Sequence, residues 1–279
     1  TNHFGEIPYT ANIAQPDLSL ITNIGPAHLE FFKTTTGVAK EKSALFDAAD
    51  NRNGKILINT DDPILRKYIP KYKNVITYGF NGKPSIKGKI SGWLPDGRIK
   101  LAIKVKEKKF EVILPLYGET SAKNILAAVA VALSTGLTIN QIIAGISKLK
   151  QVKGRLNVIS IPKAMIIDDT YNANPASMKS MFDLIGKISL HNKKVIVLGD
   201  MLELGDKSIL FHKQLSSAIV KNKIKEVYTY GPLMKSLSEV LSRKKNIVTR
   251  HFRNSKSLLK FLSSYDCKNC VIGFKGSRK

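Results

Sequence analysis

Ile166-Ile167-Asp168-Asp169-Thr170-Tyr171-Asn172-Ala173-Asn174-Pro175-Ala176-Ser177-Met178 is the stretch whose reading decides the fold. The apolar run 164–167 predicts a short buried strand. It ends in two carboxylates, a polar loop, and Pro175 ahead of a helix-forming segment. Proline suits a first helical turn because its missing N–H would be unbonded there anyway. A strand that opens into a polar loop and then a helix is how an open α/β sheet presents ligand groups at its carboxyl ends. An Asx turn ahead of a capped helix gives a similar local pattern. The unbroken polar and turn-forming run 168–175 favours a ligand loop.

Downstream the pattern alternates. Helical spacing over 178–188, 209–220, 233–241 and 257–262 is interleaved with short apolar strands at 195–198, 227–230, 247–249 and 271–274. Helices between short strands predict βαβ units and a mostly parallel sheet.

Upstream, 18–22 predicts a buried strand delivering Asn23-Ile24-Gly25-Pro26-Ala27-His28. The Gly-Pro turn sets His28 at or just past a strand end, where it is either a capping group or a ligand. Over 38–48 the spacing is helical, with Val38, Leu45 and Phe46 on one face and Lys42 close to the stripe. Two readings of Lys42 stand side by side. Its stem covers core while its head snorkels, or its amine, neutral in an apolar setting, takes up CO2 as a carbamate, an oxygen ligand suited to Mg2+. A strand at 55–60, a helix at 63–69 and a strand at 75–78 follow. The run 79–85, with its Gly-Lys, superficially resembles a phosphate loop. Pro84 follows the lysine and 86–93 alternates like a strand, so it reads as a hairpin turn instead. An antiparallel meander is expected over 86–116, then helices at 125–133 and 139–149. The basic, glycine-hinged 151–156 reads as an interdomain joint, with Arg155 either a linker residue or an anion ligand.

The 279 residues are enough for two domains, neither short of core. No apolar run reaches the roughly 18 residues of a membrane helix. The start has neither the basic head nor the apolar middle of a signal peptide. It also lacks an initiator Met and reads as a piece of a longer chain. Cys267 and Cys270 form a lone Cys-x-x-Cys without the second pair a zinc site wants, which points to reduced thiols in the cytoplasm. The net charge of +24 is carried mostly by lysines spread along the chain, without the basic–aromatic interleaving of a nucleic-acid groove. Such a surface suits an anionic nucleotide. A basic protein that binds nucleic acid or an anionic surface is the rival reading.

Several separated motifs resemble those of the Mur ligases. Asp168 to Met178 is similar to the Asp-Asp-Ser-Tyr-Asn-Ala-Asn-Pro segment of the branch that adds D-alanyl-D-alanine to UDP-N-acetylmuramoyl-tripeptide. Thr22-Asn23-Ile24-Gly25-Pro26-Ala27-His28-Leu29-Glu30, the lysine-rich 39–46, Gly154-Arg155, 198–205 with His212, and Lys275-Gly276-Ser277-Arg278 follow in family order. The resemblance implies an α/β fold: part of the central ATPase domain over 1–151 and a C-terminal Rossmann-like α/β domain over 152–279. It implies a cytoplasmic, monomeric, ATP- and Mg2+-dependent ligase of peptidoglycan synthesis, acting through an acyl phosphate. The substrates would be UDP-N-acetylmuramoyl-tripeptide and D-alanyl-D-alanine, with no membrane or nucleic-acid partner. Another amide ligase of the superfamily, such as a folylpolyglutamate-type enzyme, is the near alternative.

Residue by residue, the family assigns the catalytic metal site to His28 and to Lys42 as its carbamate. Asn124, Arg155, Asp169, Asn172 and Asn174 would bind nucleotide, and Asn2, His3, Lys275 and Ser277 would contact substrate. Thr120 and Ser121 replace the family's His-Asn beside the adenine. The family's Gly-Lys-Thr phosphate loop and uridine-binding domain are expected upstream of Thr1, so these residues alone are expected neither to ligate nor to hydrolyse ATP.

Overall fold

The computed structural model describes residues 1–25 and 29–277. The chain divides into two compact units: Thr1–Ser91 with Lys100–Ile113 and Ser121–Lys148, and Gly92–Ile99 with Leu114–Thr120 and Leu149–Lys279.

In chain order the first half runs α1 (Glu6–Ala14), β1 (Leu18–Ile21), α2 (Leu29–Phe32), α3 (Thr35–Asp50), β2 (Lys55–Asn59), a 3-10 segment (Leu65–Lys71), β3 (Val75–Gly79), β4 (Ile86–Trp93), β5 (Arg98–Val105), β6 (Lys108–Tyr117), α4 (Glu119–Ser134) and α5 (Ile139–Ser147). The strands form one sheet in the order β1-β2-β3-β4-β5-β6, with β1, β2 and β3 parallel. Phe46 of α3 packs on Ile56 and Ile58 of β2, with Leu65 and Tyr72 closing the cluster. Burying side chains of this size contributes roughly 1.5–3 kcal/mol each.

Three expectations for this half change, and α1 was not anticipated at all. α1 carries little apolar periodicity of its own. Its first amides are capped from 34 and 36 residues away by Glu41, which accepts from Ile7 at 2.7 Å and Gly5 at 2.9 Å. The segment 79–85 is not a hairpin, because β4 runs parallel to β3 with Tyr78 opposite Ile86. The Asp61 carboxylate accepts from the amides of Phe80 (2.7 Å) and Asn81 (2.9 Å) and turns the chain back to re-enter the sheet in the same sense. The helix expected at 63–69 is a 3-10 segment with Pro70 inside it. α4 starts at Glu119 rather than at 125, with an acidic residue in its first turn facing the positive end of the helix.

The second half runs β7 (Asn157–Ile161), β8 (Ala164–Asp168), α6 (Pro175–Lys187), β9 (Lys193–Gly199), α7 (Ser208–Lys221), β10 (Glu226–Tyr230), α8 (Lys235–Leu241), β11 (Val248–Phe252), α9 (Ser255–Ser263) and β12 (Cys270–Lys275). The sheet order is β11-β10-β9-β12-β8-β7, parallel except for β7 against β8. β7 was not anticipated from the sequence. It doubles back on β8 through Pro162-Lys163 and closes one edge antiparallel. Both faces of the sheet are covered, which explains why β9 reads as a continuous apolar run. Ile196 and Leu198 face a core with Met178, Phe182 and Ile185 of α6, whereas Val195 and Val197 face Tyr228, Phe252 and Ile272.

Because β12 returns between β8 and β9, the carboxyl ends of three parallel strands lie side by side. Phe274 pairs with Asp168, and Lys275 with Leu198. The loops that follow them build the candidate site.

Candidate functional site

Two consecutive carboxylates end β8, and each clamps a different piece of backbone. Asp168 accepts from the Gly154 amide at 3.1 Å and from the Thr170 hydroxyl at 2.6 Å. Asp169 is buried (7% exposed) and accepts from the Leu156 amide at 3.0 Å. Its other oxygen meets the Lys275 ammonium at 2.5 Å. That ammonium, 3% exposed, also donates to the carbonyls of Asp169 at 3.3 Å and Asn172 at 2.9 Å. All three of its protons are therefore matched. Burial pushes the Asp169 carboxyl above its ordinary value and the Lys275 amine below its own, with the ion pair offsetting only part of each shift. Lys275, expected at the substrate, is here a brace that fastens loop 169–174 to the end of β12.

The braced loop presents other groups outward. Arg155 is exposed, its guanidinium 4.2 Å from the centre of the Tyr171 ring, and its N–H donors engage no partner among the described residues. The stacking is fixed by Gly154, at φ 75°, where a Cβ would meet Tyr171 at 3.3 Å. Tyr171 in turn donates its amide to the Gly154 carbonyl at 3.0 Å. A planar guanidinium held over a ring with its fork unengaged is suited to bidentate binding of a phosphate. Asn172 is exposed, and its side-chain oxygen accepts from Ala173 at 2.7 Å. Asn174 caps α6: its side chain accepts from the Ser177 amide at 2.9 Å while Ser177 Oγ accepts from the Asn174 amide at 3.1 Å. Pro175 occupies the first turn.

Ser277 links two of the loops. Its hydroxyl donates to the Ala173 carbonyl at 3.2 Å and accepts from the Leu202 amide at 3.0 Å. Its own amide donates to the Asp200 carbonyl at 2.9 Å. Asp200 reaches the other way and accepts from Met234 at 2.8 Å.

In the first unit, Lys42 lies half-buried on α3, and its amine has no hydrogen-bond or ion-pair partner among the described residues. His28, expected beside it, lies outside the described residues. Among those described, no group of three His, Cys, Asp or Glu side chains could hold a metal ion. Asn124 is exposed on α4. Asn2 and His3 are engaged locally. The Asn2 amide lies 2.8 Å and the His3 ring 3.1 Å from the Glu6 carboxylate, which these bonds hold down at about 2.

Sequence reasoning missed the groups that hold these loops in place. Glu41 is buried next to Lys42. Asn59 donates to the Thr22 carbonyl at 2.8 Å, and Asp62 accepts from Ile24 at 2.6 Å, so the two fix the backbone that leads toward residue 28. A carboxylate beside an apolar run, as in Asn59-Thr60-Asp61-Asp62 after β2, is the signal that could have found them.

No helix among the described residues is long and apolar enough to cross a membrane. The family model of the Mur ligase middle domain matches residues 1–132, and that of the Mur ligase glutamate ligase domain matches residues 154–278. The UDP-N-acetylmuramoyl-tripeptide--D-alanyl-D-alanine ligase of Haemophilus influenzae is 33% identical over 284 residues, covering 99% of this chain and 60% of that protein. Its Bacillus subtilis counterpart is 32% identical, covering 98% and 59%. The crystal structure of MurF ligase from Thermotoga maritima in complex with ADP superposes with a TM-score of 0.83 at 29% identity, covering 99% of this chain and 62% of that one. The chain thus spans about three fifths of the length of the curated relatives it matches. It belongs to the Mur ligase family and carries that family's middle and C-terminal domains.

Proposed function

We propose that this chain forms part of an ATP-dependent ligase that joins D-alanyl-D-alanine to UDP-N-acetylmuramoyl-tripeptide. The substrate carboxylate would be activated as an acyl phosphate and attacked by the dipeptide amine. The observation that carries this reading is the Arg155–Tyr171 stack, with its unengaged guanidinium fork beside the braced loop 169–174. Similarity along nearly the whole chain to ligases of that name supports it.

In this reading residues 1–151 belong to the nucleotide-binding middle domain and 152–279 to the C-terminal domain. Arg155 binds a nucleotide phosphate. Asn172 offers an amide nitrogen, and Asn124 offers another on α4. Asn174 shapes the loop through its cap. Ser277 and Lys275 hold the substrate-side loops, and Asn2 and His3 contact substrate from the middle domain. The half-buried Lys42, its amine unpartnered among the described residues, fits a carbamate that together with His28 would hold Mg2+. That ion offsets phosphate charge when bound.

The test is phosphate release and amide product formation with ATP, Mg2+, UDP-N-acetylmuramoyl-tripeptide and D-alanyl-D-alanine. It is run on the chain alone and with the remaining portion of the Haemophilus influenzae relative joined to it. The expected result is turnover only in the completed protein, dependent on the dipeptide, and lowered at least tenfold by Arg155→Ala. Phosphate release indifferent to the dipeptide, or unchanged in the Arg155 variant, overturns the assignment.

A further inference from the structure

The ring of His212 is fully buried on α7, one turn into the helix, and lies too deep to touch a ligand. Both of its nitrogens are nonetheless committed. Nε2 stands 3.0 Å from the Met201 amide, which can only donate, so Nε2 accepts. Nδ1 stands 2.7 Å from the Ser208 carbonyl, which can only accept, so Nδ1 carries the proton. The two backbone partners together fix a neutral ring with its proton on Nδ1.

Met201 opens the loop after β9, and the bond from His212 is the first link of a chain that runs across the carboxyl end of the sheet. The next residue, Leu202, donates to Ser277 Oγ. Ser277 Oγ donates to the Ala173 carbonyl, one residue from the Asn172 carbonyl that Lys275 holds. Ser277 also binds the Asp200 carbonyl through its amide. Loops after β8, β9 and β12 are thus tied in sequence, and the anchor at one end is an imidazole in the core.

We propose that His212 is a positioning residue. As the neutral Nδ1–H tautomer it accepts the Met201 amide, sets the height of the loop after β9, and through Ser277 sets the loop that carries Asn172 and Tyr171. The inference rests on the reading of these loops as the ligase site, but its physical content can be tested without catalysis.

Glutamine at 212 places an acceptor oxygen near the position of Nε2, asparagine reaches only as far as Nδ1, and leucine supplies neither. Leaving a buried amide unpaired costs about 1–3 kcal/mol. By the tenfold-per-1.4 kcal/mol relation, that opens the loop roughly fivefold to a hundredfold more often. Hydrogen exchange on the chain itself should therefore show Met201 and Leu202 deprotected at least fivefold in His212→Asn. In His212→Gln the deprotection should stay within about threefold. Nitrogen-15 spectra of the unsubstituted protein should show a protonated Nδ1 and a bare Nε2. That measurement needs no variant, so it decides the matter even if a substituted protein fails to fold.

A protonated Nε2, or a folded Asn variant with Met201 still protected, overturns the proposal and leaves the ligase reading standing. In the completed ligase, His212→Asn should lower kcat/KM at least tenfold and His212→Gln should restore it to within about threefold. Tautomer and exchange as expected with both variants fully active would show that the loop after β9 is held as described but does not serve the reaction, and would overturn the positioning role.

Discussion

Replacing Lys275 by methionine keeps the aliphatic stem and removes one partner of a buried pair. Three interactions go at once: the 2.5 Å contact with the Asp169 carboxylate and the bonds of 3.3 and 2.9 Å to the carbonyls of Asp169 and Asn172. All three have the charged ammonium as donor, the 3.3 Å bond being the weakest. Removing one partner of such a buried pair costs about 3–5 kcal/mol, because it leaves the other charge uncompensated. Against a domain stability of about 5–15 kcal/mol, this is a large fraction. Trp93 is the sole tryptophan and packs on the core of the second unit, so its fluorescence during urea denaturation reads that unit. Asp169→Asn keeps an acceptor for the Leu156 amide while removing the charge. Combined with Lys275→Met it should cost at least about 2 kcal/mol less than the two single losses added together. A Lys275→Met loss below about 1 kcal/mol, or strict additivity of the pair, would refute the view that these two groups hold one another inside the loop.

Asn174→Ala should cost about 1 kcal/mol through loss of the α6 cap, and Asn174→Ser should recover most of it. If nucleotide binding falls equally in both, Asn174 is a ligand as well as a cap; if it falls only in the alanine variant, the cap accounts for its presence. Burial, reinforced by Asp47, pushes the Tyr72 phenol from its ordinary 10.0 up to about 12. The folded state then keeps a proton that the unfolded state has shed, so stability from the neutral phenol is complete below pH 10 and is lost on rising toward 12. Urea midpoints across that window should fall more steeply for the unsubstituted protein than for Tyr72→Phe; parallel slopes would contradict the assignment. Glu41→Gln should destabilise the first unit by about 1–3 kcal/mol and speed amide exchange at Gly5 and Ile7, while leaving the second unit's exchange unchanged.

What the sequence disclosed, and what it hid, follows from the range of the forces involved. The alternation of the second half was legible because β9 and its neighbours are buried on both faces and carry that burden as apolar runs. The loop 168–175 was legible as a loop because nothing in it could serve a core. β7 was hidden inside a stretch dominated by its basic, glycine-hinged start, since an edge strand with exposed Ile159 and Ile161 carries no strong alternation. α1 was hidden because its cap is supplied by Glu41, more than thirty residues away. The parallel return of β4 was hidden because Asp61, not the turn residues themselves, decides the direction of the chain. For the site, the residue types marked polar loops at the strand ends, but which side chains brace those loops and which face outward did not follow from them. Lys275 looked like a hand extended to a ligand and is fastened inward, whereas Arg155 looked equally like linker and ligand and is a cation whose side-chain donors engage no partner among the described residues.

Glu41 and Lys42 are neighbours on a helix, so their side chains diverge by about 100° around its axis. With Glu41 locked into the amides of α1, α3 is keyed against rolling, like a shaft held by a pin. Whatever chemistry takes place on the Lys42 amine is therefore aimed by the residue before it, and a change at position 41 would misdirect that amine without ever touching it.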